Sequence, residues 1–156
     1  MPEERFRLAD YADTIREVLD SGGEFTLFPR GTSMLPLIVE GRDSVTLEKR
    51  PVRPGDIAFY RRADGSFVLH RAIAFADGAY TMCGDNQLVP EPGVAPEQVI
   101  AAVRYVTRRG KRIDGRSPGY RLYLLLWRSF LIRRIYFRLR RILRGTQENG
   151  TPGNQR

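Results

Sequence analysis

The sequence predicts a mostly β domain, a small antiparallel β-sandwich or partly open barrel, with a short N-terminal helix and a long basic amphipathic C-terminal helix. Three observations support this fold class. The length of 156 residues suits a single domain. Short runs rich in β-branched and aromatic residues fill 25–106 without helical patterns between them. Positive charge is concentrated toward the C-terminus, in 104–144.

Residues 1–24 are predicted to form an amphipathic helix that packs on the domain. One helical face over 8–20 carries the apolar residues Leu8, Tyr11, Ile15, Val18 and Leu19. Gly22 and Gly23 supply a stop signal. The segment has no continuous apolar run and carries acids throughout, so neither a signal peptide nor a membrane span is predicted. A cytoplasmic or peripherally membrane-associated protein is expected, and the single cysteine, Cys83, fits a reducing compartment.

Residues 25–107 are predicted to form the β-rich domain. The predicted strands are FTLF (25–28), DSVTLE (43–48), DIAFYRR (56–62), SFVLHRAIAF (66–75), AYTMC (79–83) and QVIAAVRYV (98–106). Asp64-Gly65 and Asp77-Gly78 are hairpin signals. The Pro- and Gly-rich stretch VPEPGVAPE separates the last two strands. Strands spaced this closely are expected to pair antiparallel.

Charge divides the chain into two parts. Residues 104–144 hold 14 Lys and Arg against one acid, a net charge of +13, and the remainder holds 12 against 17, a net charge of −5, which together give +8. Residues 108–144 are therefore interpreted as a basic linker and an amphipathic helix, with one helix over 119–144. Residues 145–156 are polar and predicted to be a disordered tail.

One loop presents a candidate nucleophile. In PRGTSMLPLIVEGRDSV, Ser33 lies between Thr32 and Met34, after Gly31, which allows a tight backbone. A hydroxyl on a constrained loop, with a backbone amide beside it to bind an oxyanion, suits acyl transfer. Gly31, Thr32 and Met34 are thus candidate oxyanion or substrate-loop residues. An ordinary turn serine has the same short pattern, so the loop alone leaves both interpretations open.

The only histidine, His70, is the candidate base. Strand alternation in SFVLHRAIAF places it among small residues, as on the floor of a cleft. Imidazole has an ordinary pKa of about 6.5 and is a neutral base at pH 7. We expect the Ser33 hydroxyl within about 3–4 Å of a His70 ring nitrogen. The alternative is a half-exposed strand histidine with no chemical task.

The same alternation places Arg71 on the apolar face, where a buried guanidinium requires a carboxylate. Asp85, in MCGDNQ, directly follows a strand. It can orient His70 as the third member of a triad, or it can pair with Arg71 as a structural partner. An aspartate that caps its own turn is a further interpretation, and the sequence does not separate these roles.

Four blocks, GTSMLPLIVEGRDSV, RPGDIAFYRR, VLHRAIAF and CGDNQ, resemble in order and spacing the signature of the signal peptidase type I superfamily, which also contains self-cleaving repressors. The resemblance covers roughly 27–103. It implies a β fold of the signal-peptidase type with Ser33 as nucleophile and His70 as base. Bacterial members mostly have lysine at the base position; here neither Lys49 nor Lys111 is in register, which disfavours a Ser-Lys dyad.

The resemblance implies a serine endopeptidase that cleaves a peptide or protein precursor, as in signal peptide processing, through an acyl-enzyme. The substrate would bind as an extended strand, and no cofactor or metal is expected. Two positions depart from the family pattern: Gly31 stands where a hydroxyl residue is common, and Glu91 is the nearest candidate for a second acid. The usual N-terminal membrane anchor is not expected. The alternative is a catalytically inactive relative that binds extended peptides or docks on membranes.

The C-terminal helix is predicted not to span a membrane, since its longest apolar run, LYLLLW, has six residues where about 20 are needed. We expect it to contact an anionic membrane surface or a partner protein. The candidate contact residues are Trp127, Phe130, Arg133, Arg134 and Arg138. The alternative is packing on the domain with a solvated basic face. No nucleic-acid partner is expected, because no recognition motif accompanies the charge.

Overall fold

The computed structural model describes the backbone of residues 3–113, 115 and 117–148, and the side chains of 12–113, 115 and 117–143. The helices are α1 (Glu3–Asp20), α2 (Pro118–Trp127) and α3 (Phe130–Glu148). The strands are β1 (Phe25–Leu27), β2 (Ser44–Glu48), β3 (Ile57–Arg61), β4 (Phe67–Ala76), β5 (Ala79–Cys83), β6 (Glu91–Val94), β7 (Val99–Arg108) and β8 (Lys111–Ile113). The predicted mostly β fold class is confirmed.

All the strands belong to one antiparallel sheet with the order β1-β2-β7-β3-β4-β5-β6, and β8 pairs with β7. The sheet is open, with β1 and β6 at its ends. The sequence missed β6 because Pro92 and Gly93 lie within it; an edge strand tolerates both residues. It also missed β8, which returns from β7 through a turn at Arg109 and Gly110.

Side chains that alternate along the central strands form an apolar cluster on each face of the sheet. In β3, Ile57 and Phe59 join the first cluster, whereas Tyr60 joins the second. The first cluster also contains residues of α1 and of the loop after β1, namely Ile15, Leu19, Met34, Leu37 and Ile38. The core therefore anchors the loop that carries Ser33.

Helix α1 packs on the first cluster through part of its predicted face. Ile15 and Leu19 are buried, whereas the side chains of Leu8 and Tyr11 lie outside the described residues. The helix ends at the predicted glycine pair. Gly22 has a φ of +83°, in the left-handed region that favours glycine at a helix end.

The C-terminal segment forms two helices, so the prediction of one helix over 119–144 is wrong. Apolar periodicity continues through 127–130, but Ser129 interrupts the hydrogen bonding. Its hydroxyl accepts from the Ile132 amide at 3.4 Å, in the manner of a helix cap. Helix α3 ends at Glu148, inside the predicted disordered tail; residues 149–156 lie outside the described residues. No described helix has the length and apolar character required to cross a membrane.

A buried ion pair joins β4 to the turn after β5. Arg71 Nε and Nη2 donate to the two carboxylate oxygens of Asp85 at 2.8 and 2.6 Å, and the two side chains are 2% and 0% exposed. Tyr123 of α2 donates its hydroxyl proton to Asp85 Oδ2 at 2.8 Å. The Trp127 indole donates to the Asp85 carbonyl oxygen at 2.8 Å. The pair therefore also attaches α2 to the sheet.

Helix α3 is attached to the same turn by Arg133, whose side chain is 1% exposed. Its guanidinium donates to the carbonyl oxygens of Trp127 at 2.7 Å, Gly84 at 3.1 Å and Gln87 at 3.3 Å. Its Nη2 also lies 3.9 Å from Asp85 Oδ1. Two arginines thus share the charge of one buried carboxylate.

Replacing Asp85 with Asn should lower the free energy of unfolding by about 3–5 kcal/mol, because Arg71 would keep a buried charge without its counter-charge. Denaturant unfolding at neutral pH measures the change. Asp13→Asn is the matched control, since the Asp13 carboxylate is 85% exposed beside Arg16; its effect should stay below about 0.5 kcal/mol. Equal effects of the two substitutions would contradict the buried role of Asp85.

Candidate active site

The loop between β1 and β2 holds Ser33 between a tight turn and a core anchor. Gly31 has a φ of +85°, a conformation that favours glycine. The Thr32 carbonyl accepts a hydrogen bond from the Leu35 amide at 3.2 Å. Met34 is 4% exposed and packs in the first cluster. Ser33 itself is half-buried, so its neighbours restrict the directions from which a substrate can approach.

Asp43 closes the far end of the same loop, and the sequence analysis missed it. Its carboxylate is buried, accepts from the Val39 amide at 2.9 Å and pairs with Arg42 at 2.8 Å. The hydrogen bonds from Arg42 hold the pKa of the Asp43 carboxyl below its usual range. The adjacent Arg-Asp in EGRDSV, directly before a strand, was the available signal.

The backbone of Ser33 lies against the Gly-Asp-Asn turn. The Asn86 amide donates to the Ser33 carbonyl oxygen at 2.8 Å. A Cβ on Gly84 would lie 2.6 Å from the same oxygen, so only glycine permits this approach. In the β4–β5 ladder Arg71 is opposite Cys83. The ladder ends at that pair, and Gly84 follows directly after β5.

His70 is 3% exposed, which makes it more buried than a cleft-floor residue. The reason is Tyr60, whose hydroxyl oxygen lies 3.3 Å from His70 Nδ1. That hydroxyl donates its own proton to Glu91 Oε2 at 2.8 Å. The hydroxyl oxygen is then the acceptor for His70, which assigns the ring hydrogen to Nδ1. Nε2 is left unprotonated, as a base requires.

Nε2 of His70 makes no hydrogen bond among the described residues. Ser33 Oγ also makes no hydrogen bond within that part of the chain, so the expected bond between Ser33 and His70 is not formed. Catalytic hydrogen bonds are often long before substrate binds. The described contacts join the Ser33 backbone to the Gly-Asp-Asn turn and the His70 side chain to Tyr60, and they do not join Ser33 to His70.

Arg62 and Glu91 set the electrostatics around His70. Arg62 donates to both Glu91 oxygens, at 2.8 and 2.6 Å, and holds the pKa of Glu91 below its usual range. Burial, with the positive charge of Arg62, lowers the pKa of His70 to about 4; Glu91 and Asp85 oppose that shift. His70 is therefore neutral at pH 7.

Tyr60 was missed by the sequence analysis, although a signal for it was present. The Asp64-Gly65 turn sets the register of the β3–β4 hairpin, in which Tyr60 is opposite Val68 and Ala58 is opposite His70. Tyr60 is thus the diagonal neighbour of His70 on the same face. The sequence indicates Glu91 only as a candidate second acid. In the structure, Glu91 accepts a hydrogen bond from the Tyr60 hydroxyl, which in turn contacts His70.

Of the roles left open for Asp85, the structure shows the pairing with Arg71. Both of its oxygens accept from Arg71, and Oδ2 also accepts from Tyr123. No hydrogen bond joins Asp85 to His70 among the described residues, and the group in contact with Nδ1 is Tyr60. The predicted need of Arg71 for a carboxylate is confirmed.

The predicted contact surface of the C-terminal helix needs correction at two positions. Trp127 and Arg133 are buried and hydrogen-bonded to the domain, so the interpretation that they contact a membrane or partner is wrong. Both side chains bond to the turn after β5, Trp127 from the end of α2 and Arg133 from α3. Phe130 is half-buried, and Arg134 and Arg138 are exposed as predicted.

No group of three or more His, Cys, Asp or Glu side chains within the described part of the chain could hold a metal ion. The buried thiol of Cys83 has a raised pKa because of its burial, and so stays protonated. A cleft of about 580 Å³ lies beside Arg50 and Arg53 and contains neither Ser33 nor His70.

The stability of the protein should fall as the pH drops from 6.5 to 4, because the unfolded chain protonates His70 at its ordinary pKa of 6.5 and the folded chain only near 4. That shift corresponds to about 3 kcal/mol, present in full above pH 6.5 and lost by pH 4. Unfolding of the wild type and His70→Asn across this range isolates the effect from the carboxylates. Parallel curves for the two proteins would contradict the lowered pKa.

No family model, curated protein or solved structure matches this chain. The structure shows an open antiparallel sheet with three helices over the described residues.

Proposed function

We propose that this protein is a serine endopeptidase of the signal-peptidase type that acts through Ser33 and His70. One observation carries the proposal: the hydrogen-bond chain from Glu91 through Tyr60 to His70. The chain orients the imidazole with Nδ1 toward Tyr60 and leaves Nε2 unprotonated. A base oriented through its second nitrogen is the arrangement that activates a neighbouring hydroxyl.

In the proposed reaction, His70 Nε2 takes the hydroxyl proton as Ser33 Oγ attacks the carbonyl carbon of the scissile peptide. The Ser33 amide makes no hydrogen bond within the described part of the chain and can bind the oxyanion. The proton on Nε2 passes to the departing amine, which leaves an acyl-enzyme. His70 then activates a water molecule, whose attack releases the carboxylic acid and regenerates Ser33.

Glu91 and Tyr60 are positioning residues in this mechanism. The Glu91 carboxylate places negative charge on the Nδ1 side of the ring, where it stabilises the imidazolium that forms as Nε2 gains a proton. Tyr60 transmits this orientation, because its hydroxyl contacts both groups. A His70 pKa of about 4 keeps the imidazole unprotonated at neutral pH but also makes it a weaker base. The Glu91 carboxylate offsets part of this weakness, because its negative charge favours the protonated ring.

An extended peptide is the substrate class that the fold supports best. Strand β1 is an edge strand that, among the described strands, pairs with β2 alone, and it leads into the Ser33 loop. Phe28, the next residue, is 72% exposed and offers an apolar contact to a substrate side chain. A peptide added to the free edge of β1 would run toward Ser33. The same proposal includes the assignment of the open sheet to the signal-peptidase type of fold.

A fluorophosphonate probe should label the protein at Ser33, because a general base beside the hydroxyl makes it nucleophilic. Ser33→Ala should abolish labelling, and His70→Gln should slow it about 100-fold. Intact mass and peptide mapping measure the extent and position of labelling. Ser21→Ala is the control, since that exposed hydroxyl bonds only to the Val18 carbonyl oxygen, and its labelling should equal the wild type.

Peptide cleavage is a separate readout of the same site. In a mixture of unstructured peptides followed by mass spectrometry, the wild type should create new termini and the Ser33→Ala variant should not. If the folded protein neither labels nor cleaves, the endopeptidase proposal fails. Binding of the same peptides without cleavage would then support the alternative of a catalytically inactive, peptide-binding relative.

The pH profile of labelling reports on the groups around His70. The wild-type rate should fall on acidification with a midpoint near 4. Arg62→Gln should raise that midpoint, because it removes a positive charge that lowers the pKa of His70. Tyr60→Phe should slow labelling about tenfold, since the imidazole loses its orienting partner. An unchanged midpoint in Arg62→Gln would argue against this electrostatic account.

A further inference from the structure

Helix α3 presents two adjacent strips of side chains to solvent. One, the basic strip, consists of the exposed Arg134, Arg138 and Arg141. The other, the apolar ridge, consists of Leu131, Ile135, Leu139 and Leu143, which are 68%, 51%, 55% and 69% exposed. Successive residues of an α-helix are about 100° apart around its axis. The basic strip therefore lies between the apolar ridge and the inward face of the helix, which carries Arg133. The outward surface of α3 is therefore amphipathic.

Contacts on the inward face fix the direction of both strips. Arg133 donates to the Gly84 and Gln87 carbonyl oxygens. Arg140, about two turns further on, donates to Asn86 Oδ1 at 3.5 Å. Tyr136, between them, stacks edge-on against Trp127 at 5.2 Å. The apolar ridge thus cannot turn inward without breaking these contacts.

Four large apolar side chains in one exposed row are unusual for a surface that meets only water. Leu122 and Leu125 of α2 are also 56% and 69% exposed. The charge beside them has one sign: residues 118–147 contain eight arginines and no acidic residue. A covering surface must therefore be apolar opposite the ridge and anionic opposite the basic strip.

We propose that α3 docks on an anionic membrane surface and lies in the plane of the interface. The apolar ridge would enter the boundary between headgroups and acyl chains, and the basic strip would contact anionic headgroups. A second copy of the chain fits less well, because pairing two ridges would bring two basic strips together without an acid between them. The proposal is independent of the peptidase chemistry.

Vesicle flotation of the full chain tests the proposal. Vesicles of phosphatidylcholine with phosphatidylglycerol should bind the protein at low salt, and binding should weaken at least about tenfold at high salt. Vesicles of phosphatidylcholine alone should bind much less. No binding to the anionic vesicles at low salt would overturn the proposal, as would equal binding to both vesicle types.

Two variants test the two strips separately. Ile135→Asp with Leu139→Asp should abolish binding, whereas Phe75→Asp, at an exposed apolar residue of β4, should not. Arg134→Gln, Arg138→Gln and Arg141→Gln together should reduce binding at least about tenfold. The control for these three substitutions replaces the exposed Arg53, Arg61 and Arg112 with Gln, which removes the same charge elsewhere on the surface. Equal losses in the variants and their controls would contradict docking through α3.

Light scattering of the lipid-free chain tests the alternative that a second copy of the chain covers the apolar ridge. The wild type should be monomeric. A stable dimer that dissociates in the Ile135→Asp and Leu139→Asp variant would make the apolar ridge an interface between copies and overturn the membrane proposal. Circular dichroism verifies that each variant is folded, and the salt dependence of the wild type tests the proposal even where a variant unfolds.

Discussion

The ion pair between Arg71 and Asp85 is the interaction on which the arrangement of the site depends. Both groups are almost completely buried, and a charge in the interior is tolerated only with a hydrogen-bonded partner. Burial disfavours the charged guanidinium, but the charge and hydrogen bonds of Asp85 outweigh it and raise the pKa of Arg71. The Arg71 guanidinium therefore stays charged. Because Asp85 belongs to the turn that touches Ser33, the same pair positions the Ser33 loop.

Strand β4 supplies two polar networks from consecutive residues. His70 and Arg71 point to opposite faces of the sheet, as neighbours in a strand must. On one face Arg71 connects to Asp85 and the C-terminal helices. On the other, His70 connects through Tyr60 to Glu91. A shift of one residue in the register would exchange the faces and break both networks, so the packing of the whole sheet specifies the site.

The parts of this structure that follow local rules could be predicted from the sequence. Alternation and the Asp-Gly turns indicated the antiparallel strands, and the same alternation showed that Arg71 needs a carboxylate. The contact between Tyr60 and His70 could not be predicted so directly, because it joins diagonal positions on two strands. The break at Ser129 was hidden by apolar periodicity that continues across it. The inward direction of Arg133 depends on tertiary packing, which outweighs the usual exposure of arginine.

Gly84 is the point at which the Ser33 loop meets the turn after β5. Its missing side chain is what allows the Ser33 carbonyl oxygen to approach within the space that a Cβ would occupy. A methyl group at this position would wedge the Ser33 loop away from the sheet while leaving every reactive group intact. The position of the Ser33 loop is thus governed by an atom that Gly84 lacks, so a change that adds no reactive group would still displace Ser33.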